Sequence, residues 1–464
     1  MKKWLNKARF ALLSSLPIVV FFTNFPLVRL GENSSMFFEI SLPMLWLAAF
    51  DLVSLAELSN IIKLLKRYPK AALASCALIF WLVLSCLWSA NPLRGTLTAG
   101  LVIAIAFAIM SFFANLPNKK FLVREARLFI GASFGVSVFC ILQGILDVYG
   151  AQHNLLCEGC HYQTLGFPHS NGFAIEPQFM GNLLIAPSLL SLDVLYKKIK
   201  MKKGKGWPFG FAFVTFIQIL ALFICFSRGA IYSFAIAALL IAAHDIYHKK
   251  YMHTVIYIIT IIISFACGLL TQGIWAEISP TSEDFFEGIS RSINQLTLGK
   301  ANLPRPQSVQ NFDKKMVVLE PKEESQFNGY IEESTNVRVW LNHSAVHTWK
   351  QSPKTMLFGV GLGGAGRAIS QYEGGSEREI VQNEYFSLLL EIGIIGWILI
   401  LIAAFQLAKL RNKQTSFIFV AIIVAYLASM AFYSGITNVW HIYLFTPVLY
   451  VLPGIRRAKA HMLK

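Results

Sequence analysis

Long runs of apolar residues alternate with short polar stretches along most of this 464-residue chain. A helix that crosses the hydrocarbon core of a bilayer needs about 20 predominantly apolar residues, and about twelve runs approach that length. The pattern therefore predicts an all-α polytopic membrane protein with about twelve transmembrane helices. The runs are Phe10–Leu27, Met36–Leu55, Ala71–Ala90, Thr96–Leu116, Leu128–Tyr149, Gly172–Leu195, Pro208–Cys225, Ala230–Ala243, Thr254–Leu270, Tyr385–Leu407, Phe417–Tyr433 and Ile442–Leu452.

Composition agrees with this pattern, because 55% of the residues are hydrophobic and only 14% are charged. The net charge of +16 would fit a nucleic-acid partner, but its distribution argues against one. Lys and Arg collect in alternate loops, whereas the intervening short loops hold only Arg29, Arg94 and Arg228. Cytoplasmic loops of membrane proteins carry such an excess. We predict a multi-pass protein of the bacterial inner membrane, with both termini in the cytoplasm and no nucleic-acid partner.

One long polar segment interrupts the apolar runs between the ninth and tenth predicted helices. The chain accordingly divides into a transmembrane bundle of about nine helices (residues 1–275), an extracytoplasmic segment (276–382) and C-terminal transmembrane helices (383–464). Within the segment, apolar residues recur at helical spacing from Phe285 to Leu296. A second amphipathic helix is predicted from Ser334 or Thr335 to Gln351, and its tryptophans suit a membrane interface.

Two cysteines, Cys157 and Cys160, lie in a loop predicted to be outside, where disulfides form. A local disulfide is the favoured interpretation. A zinc site with His153 or His161 remains the alternative, although it offers half the usual ligand pattern. The pair His343 and His347 shares a helix face but lacks the glutamate of a zinc protease. The chain also contains no Asp-x-Asp pair to hold a divalent ion with a nucleotide-sugar, so we expect neither a metal nor another cofactor.

Several polar residues stand where they could carry chemistry outside the membrane. Arg228 lies in a tight turn between two apolar runs, where it is either a snorkelling side chain or a ligand for a phosphorylated headgroup. The glycine-rich segment Phe358–Gly366 is not a nucleotide loop, but as a flexible turn its amides could meet an anion near Arg367. Glu391 places a carboxylate within a predicted transmembrane helix, which makes it a functional candidate.

At these residues the chain resembles the superfamily of O-antigen ligases and O-antigen polymerases, which are bacterial envelope enzymes. The resemblance covers about residues 160–400 and follows the family's order. Its motifs are a Ser-Arg-Gly turn, an Arg-x-x-Trp helix, a "PlfGvGlG" segment, a motif with the spacing His-Asn-x9-Gly-x-x-Gly, and less specifically a Glu-Pro pair. The stretches that resemble them are Cys225–Ala230, Asn336–Trp340, Pro353 with Leu357–Gly363, Gln382–Gly396 and Gly166–Pro177.

The resemblance implies a metal-independent, inverting glycosyltransferase that acts outside the inner membrane. Its donor would be an undecaprenyl-pyrophosphate-linked glycan, and its acceptor a glycan or a lipid-linked glycan. Arginines matching Arg228 and Arg338 would hold the pyrophosphate. The family's acceptor-activating His is replaced by Gln382, whose amide does not accept a proton at neutral pH. The base is then Glu384, His343, His347 or Glu176, unless the role of Gln382 is to orient the acceptor.

These interpretations define two sets of candidate residues. The catalytic candidates are Arg228, Arg338, Gln382 and Glu384. The substrate-binding candidates are Asn383, Glu176, His343, His347 and Arg367. We favour a polymerase over a ligase, because the missing His belongs most firmly to the ligases. A transporter or flippase of lipid-linked glycans is the alternative, which the absence of an internal repeat weakens. A non-catalytic envelope scaffold is the third interpretation.

Overall fold

The computed structural model describes most of the chain, and every structural statement below concerns its described residues. These are residues 2–23, 28–30, 38–115, 119–149, 169–174, 176–200, 207–278, 285–297, 301, 333–377, 379–409 and 417–432. Cys157 and Cys160, the last predicted transmembrane run and most of residues 300–335 lie outside them.

The described residues form sixteen α-helices, one short β-ribbon and two 3-10 turns. The 3-10 turns are Leu55–Glu57 and Cys86–Trp88. The helices are α1 (Lys2–Val19), α2 (Leu42–Ser54), α3 (Leu58–Arg67), α4 (Pro69–Ser85), α5 (Pro92–Ala114), α6 (Lys119–Val148), α7 (Pro177–Lys200), α8 (Trp207–Ile224), α9 (Arg228–Tyr247), α10 (Tyr251–Ile278), α11 (Phe285–Leu296), α12 (Glu333–Trp349), α13 (Pro353–Phe358), α14 (Ala365–Glu373), α15 (Glu384–Lys409) and α16 (Phe417–Ser429).

Eight helical segments are long and apolar enough to cross a membrane, so the chain is a helical multi-pass membrane protein. The apolar helices α8 and α16 are shorter. The segments are Leu42–Arg67, Pro69–Trp88, Pro92–Ala114, Val123–Val148, Pro177–Tyr196, Arg228–Tyr247, Tyr251–Ile278 and Glu384–Lys409. The first predicted run, Phe10–Leu27, does not form such a segment. Helix α1 ends at Val19, within the run, and its first half is basic. The full count of twelve stays a prediction.

The fold is all-helical, as the sequence pattern predicts, apart from one short β-ribbon. Strands β1 (Val28–Leu30) and β2 (Phe38–Ile40) form an antiparallel ribbon in which Arg29 faces Glu39. The predicted run beginning at Met36 therefore starts as a strand, and its helix begins only at Leu42. Pro43 favours this start, because proline has no amide donor and fits the first turn of a helix.

Both helices predicted in the polar segment are present. Helix α11 spans Phe285–Leu296, and α12 spans Glu333–Trp349, within two residues of the predicted bounds. Helix α12 ends before Pro353, where Ser352 caps the short helix α13 by accepting a hydrogen bond from the amide of Thr355 at 3.0 Å.

The chain divides into two compact units. Unit 1 contains residues 1–127, 338–416 and 430–464, and unit 2 contains residues 128–337 and 417–429. The three segments predicted from the sequence are defined by the side of the membrane on which they lie, and not by packing. That division stays a prediction.

Candidate functional site

A break in helix α15 organises the polar centre of unit 1. Gly393 adopts φ 65° and ψ −173°, a conformation outside the helical region. The break removes helical partners from the preceding carbonyl groups. In their place, the amide of Val360 donates to the carbonyl of Leu390, and the Trp81 indole donates to the carbonyl of Ile392 at 3.1 Å. Such replacement is essential in a membrane helix, where an unpaired carbonyl costs several kcal/mol.

The glycine-rich segment is rigid and buried, in contrast to the flexible turn predicted from its composition. The carbonyl of Val360 accepts from the amide of Ala90, and the amide of Leu362 donates to the Ser85 hydroxyl. Ser89 in turn donates its hydroxyl to the carbonyl of Leu362 at 2.8 Å. The glycines are needed because the two backbones nearly touch there. A side chain at Gly361 would lie 2.3 Å from the Cα atom of Ser89.

The amides of the glycine-rich segment bind an anionic side chain of the protein itself, that of Glu391. The backbone N–H groups of Gly363 and Ala365 donate to the carboxylate of Glu391, and Arg94 lies within electrostatic reach of the same carboxylate. An anion site near Arg367 stays a prediction. The Arg367 guanidinium faces Glu377, with Nε 3.8 Å from Oε2.

A narrow polar cleft opens beside these contacts. Arg94 and three glutamates line it, together with residues of the glycine-rich segment; the glutamates are Glu379, Glu384 and Glu391. Its volume of about 30 Å³ corresponds to one or two water molecules. Burial raises the pKa of Glu379 above its ordinary value. Glu384 and Glu391 are candidates from the sequence, whereas Arg94 is predicted from the sequence only as one of the few charged residues in the short loops.

The polar residues at the start of α15 differ in role. Asn383 caps the helix, with Oδ1 accepting from the amides of Tyr385 and Phe386 at 3.1 and 3.3 Å. Asn383 therefore has a structural role as the cap of α15, and this role requires no substrate. Glu384 follows as the first helical residue and is only 3% exposed. The helix dipole favours a negative charge at that position. Gln382 is half-buried, and its Oε1 accepts no hydrogen bond from the described residues.

Helix α12 carries three of the predicted site residues. Arg338 lies in its second turn and is half-buried. His343 and His347 are exposed and stacked, with ring centroids 6.3 Å apart, and Nδ1 of His347 contacts Oε1 of Glu373. Among the described residues no group of three His, Cys, Asp or Glu side chains is arranged to hold a metal ion.

The tryptophans of α12 pack inside unit 1. Trp340 and Trp349 contact an apolar cluster that joins α12 to α14 and α15, and Trp349 also donates its indole N–H to the carbonyl of Met356. These contacts account for the half-burial of both tryptophans, and the position of α12 at a membrane interface stays a prediction. The cluster comprises Ala345, Ala365, Ile369, Val381 and Leu390.

Unit 2 contains Arg228, in a tight turn between α8 and α9. Phe226 adopts φ 51°, which is rare for a residue with a side chain and marks the sharp reversal. Ser227 then caps α9 by accepting from the amide of Ala230, and Arg228 is the first helical residue. Helix α7 approaches closely at Gly181, where an added Cβ would lie 3.2 Å from that of Ser227. The sequence predicted this turn correctly.

A buried loop, residues 169–174, lies in the same unit and leads to α7. The Ser170 hydroxyl donates to the carbonyl of Cys140 at 2.7 Å. Gln143 on α6 holds the next two residues, because it donates to the side chain of Asn171 and accepts from the amide of Gly172. Gly172 has φ 58°, and a Cβ there would meet Met180 and Cys140. The loop is therefore fixed by hydrogen bonds and packing on α6 and α7.

This loop places His169 beside the Arg228 turn. The imidazole lies against the Phe226 ring, with centroids 6.0 Å apart. Part of the residue remains accessible, but its Nε2 is shielded from solvent. Burial first, and then the positive charge of Arg228, lower the pKa of His169 to about 4. His169 is thus neutral at physiological pH. His169 is absent from the candidates predicted from the sequence, although it stands seven residues before the Glu-Pro pair.

Glu176 of that pair immediately precedes α7. Its side chain is exposed, and its carbonyl accepts from the amides of Phe179 and Met180 at 3.1 and 3.3 Å. Unit 2 therefore contains Arg228, Glu176 and the unpredicted His169, of which His169 and Arg228 lie close together. Unit 1 contains the other candidates, which are Arg338, His343, His347, Arg367, Gln382, Asn383 and Glu384.

No protein-family model and no curated protein matches the sequence of this chain. The likeness to O-antigen polymerases and ligases therefore depends on the residues quoted above and on what their geometry can do.

Proposed function

We propose that this protein is a metal-independent glycosyltransferase of the O-antigen polymerase or ligase type. It extends or transfers undecaprenyl-pyrophosphate-linked oligosaccharides on the extracytoplasmic face of the bacterial inner membrane. About twelve transmembrane helices hold it there, with both termini in the cytoplasm. Polymerisation is favoured over ligation, because Gln382 stands where the ligases carry a histidine.

The packing of three separate motif segments in unit 1 carries this proposal. Helix α12, which carries Arg338 and Trp340, the glycine-rich segment and the start of α15 share one apolar cluster, with Trp340, Val360 and Phe386 packed against it. The break at Gly393 and the glycine-rich segment supply each other's hydrogen bonds. Residues that are far apart in sequence thus form one polar centre beside long apolar helices, as an enzyme with a lipid-linked substrate requires.

The chemistry of the reaction suits the arginines. Electron pairs move from the breaking glycosidic bond to the pyrophosphate, whose negative charge grows. A guanidinium stabilises that charge with two parallel hydrogen bonds and without a metal. Arg228 is well placed for this role, because it stands at the N-terminus of α9, where backbone amides also favour an anion. Arg338 is the second candidate.

Reconstitution with a lipid-pyrophosphate-linked oligosaccharide tests the proposal. Wild-type protein should lengthen or transfer the glycan in the presence of a metal chelator. Arg228→Lys and Arg338→Lys, each tested alone, should lose about tenfold to a hundredfold in rate, since a charge-assisted contact contributes roughly 1.5–3 kcal/mol. Arg67→Lys is the control, because Arg67 is exposed on α3. Movement of the lipid between leaflets without glycan transfer would instead identify a flippase.

A further inference from the structure

The proposed reaction needs a group that takes a proton from the acceptor hydroxyl, and Gln382 cannot do so because its amide is not basic. Among the other candidates, His347 contacts Glu373 and His343 is exposed on the surface of α12. His169 differs from these two histidines. A rigid loop holds it next to Arg228, which is the proposed ligand of the leaving group.

We propose that His169 is the catalytic base of the transfer reaction, acting beside an Arg228-bound pyrophosphate. This inference rests on the proposed function. The acceptor oxygen attacks the anomeric carbon of the donor sugar and forms the new glycosidic bond. Its proton passes to the His169 imidazole, while the bond from the anomeric carbon to the phosphate oxygen breaks and leaves its electron pair on the pyrophosphate. The imidazolium later releases the proton to solvent.

The environment of His169 keeps it ready for this step. A base must be unprotonated before the reaction, and both burial and the Arg228 charge favour the neutral imidazole. A bound pyrophosphate offsets the field of Arg228, so the basicity of His169 rises when the donor is present. The negative charge that develops on the leaving group then stabilises the imidazolium. His169 therefore becomes an effective base only in the complex in which it is needed.

The surrounding contacts fix the imidazole in place. Gln143 and Ser170 hold the loop to α6 through hydrogen bonds of 2.7 to 3.1 Å. The Phe226 ring lies against the imidazole, and Phe226 stands two residues before Arg228 in the sharp turn. Positioning of this kind is what general-base catalysis requires, since the base must lie within hydrogen-bond reach of the transferred proton.

The first experiment compares wild-type protein with His169→Gln and His169→Asn in the reconstituted transfer assay. We expect kcat to fall by about a hundredfold or more, as for the loss of a general base. Donor affinity should change by less than about threefold, because Arg228 remains. His248→Gln is the matched control, since His248 is exposed at the opposite end of α9 and should keep wild-type activity. Thermal unfolding shows whether each variant is folded.

The second experiment follows pH, which a purely structural histidine would not affect. In the wild type, kcat/KM reports the free enzyme and should decline as the pH falls toward about 4, the pKa of His169 before the donor binds. The decline in kcat should occur at higher pH, because the pyrophosphate has offset Arg228. Both declines should disappear in the residual activity of His169→Gln. Histidine-labelled NMR should also show a raised pKa of His169 in Arg228→Gln.

The outcomes separate the two proposals. If the wild type transfers no glycan, the proposed function fails, and the base assignment fails with it. If the wild type is active and folded His169→Gln keeps its kcat and pH profile, His169 is not the base and the function stands. Equal losses in kcat and donor affinity would also overturn the assignment, because they would show that His169 supports only the Arg228 turn.

Discussion

The backbone amide of Gly361 donates a hydrogen bond of 2.9 Å to the carbonyl oxygen of Glu391. In an unbroken helix that carbonyl would pair with the amide of Ile395. The break at Gly393 makes the carbonyl available, and the glycine-rich segment fills the gap. The Glu391 side chain meanwhile accepts from the amides of Gly363 and Ala365. One helical break therefore explains both the shape of the glycine-rich segment and the position of a membrane-embedded carboxylate.

We expect Gly393→Ala to destabilise the protein. A residue with a Cβ pays about 1–3 kcal/mol for such a backbone conformation. The added atom would also lie 2.4 Å from the carbonyl oxygen of Leu357, which cannot easily move. Gly100→Ala is the control, because open space surrounds Gly100 on α5. Thermal unfolding in detergent measures both variants, and equal stability of the two would contradict the account of the break.

Trp81→Phe isolates the hydrogen bond to the carbonyl of Ile392. Phenylalanine keeps an aromatic ring beside Trp88 and Phe358 but has no N–H donor. We expect a loss of about 1–3 kcal/mol, the cost of leaving a buried acceptor unpaired. Trp4→Phe should have little effect, since Trp4 is largely exposed. Chemical unfolding of the two variants provides the comparison; a Trp81→Phe protein as stable as wild type would show that the bond is dispensable.

Glu379 should make stability depend on pH. Burial raises its pKa, so the folded protein holds this proton to higher pH than the unfolded chain does. The contribution of protonated Glu379 to the free energy of unfolding is therefore fully present below the ordinary glutamate pKa of about 4.3. It is lost as the pH rises through the raised pKa of the folded protein. We expect Glu379→Gln to unfold at higher temperature than wild type at pH 7.5, with a smaller difference near pH 4.

The control for that measurement is Glu377→Gln, whose side chain is exposed beside Arg367. It should not reproduce the pH-dependent gain. A constant difference between Glu379→Gln and wild type at both pH values would mean that packing, and not ionisation, distinguishes them.

Topology follows from the loop charges and can be tested with single cysteines in a background without the native ones. Gln351→Cys should react with an impermeant thiol reagent added to intact cells, because residues 276–382 are predicted to be outside. Lys70→Cys should react only after the membrane is opened, since it lies at the start of α4, beside the basic end of α3. Both positions are exposed. The reverse pattern would place the polar centre of unit 1 in the cytoplasm and exclude the proposed donor.

Much of the architecture could be predicted because apolar helices follow from local composition. The bilayer sets the length of an apolar run, and proline and capping residues set where it begins. Helix α12 was predicted from Ser334 or Thr335 to Gln351 and spans Glu333–Trp349. The Ser227–Arg228 turn was predicted for the same reason. The β-ribbon was missed because three-residue strands lie below the length at which alternation is recognisable.

The partners of the polar residues could not be predicted, since they come from distant parts of the chain. Nothing in the local sequence around Phe358–Gly366 indicates that its backbone forms hydrogen bonds with Ser85 and Ala90. From the sequence, Arg94 could be placed only in a loop. In the structure it lies within electrostatic reach of Glu391, which is almost 300 residues further along the chain. His169 becomes a candidate base only because packing on α6 and α7 brings it to Arg228. The sequence by itself determined that the chain forms long apolar helices, because hydrophobicity is a local property. Only the tertiary structure decided which charges and amides meet, because burial and hydrogen bonding depend on neighbours that the chain order does not specify.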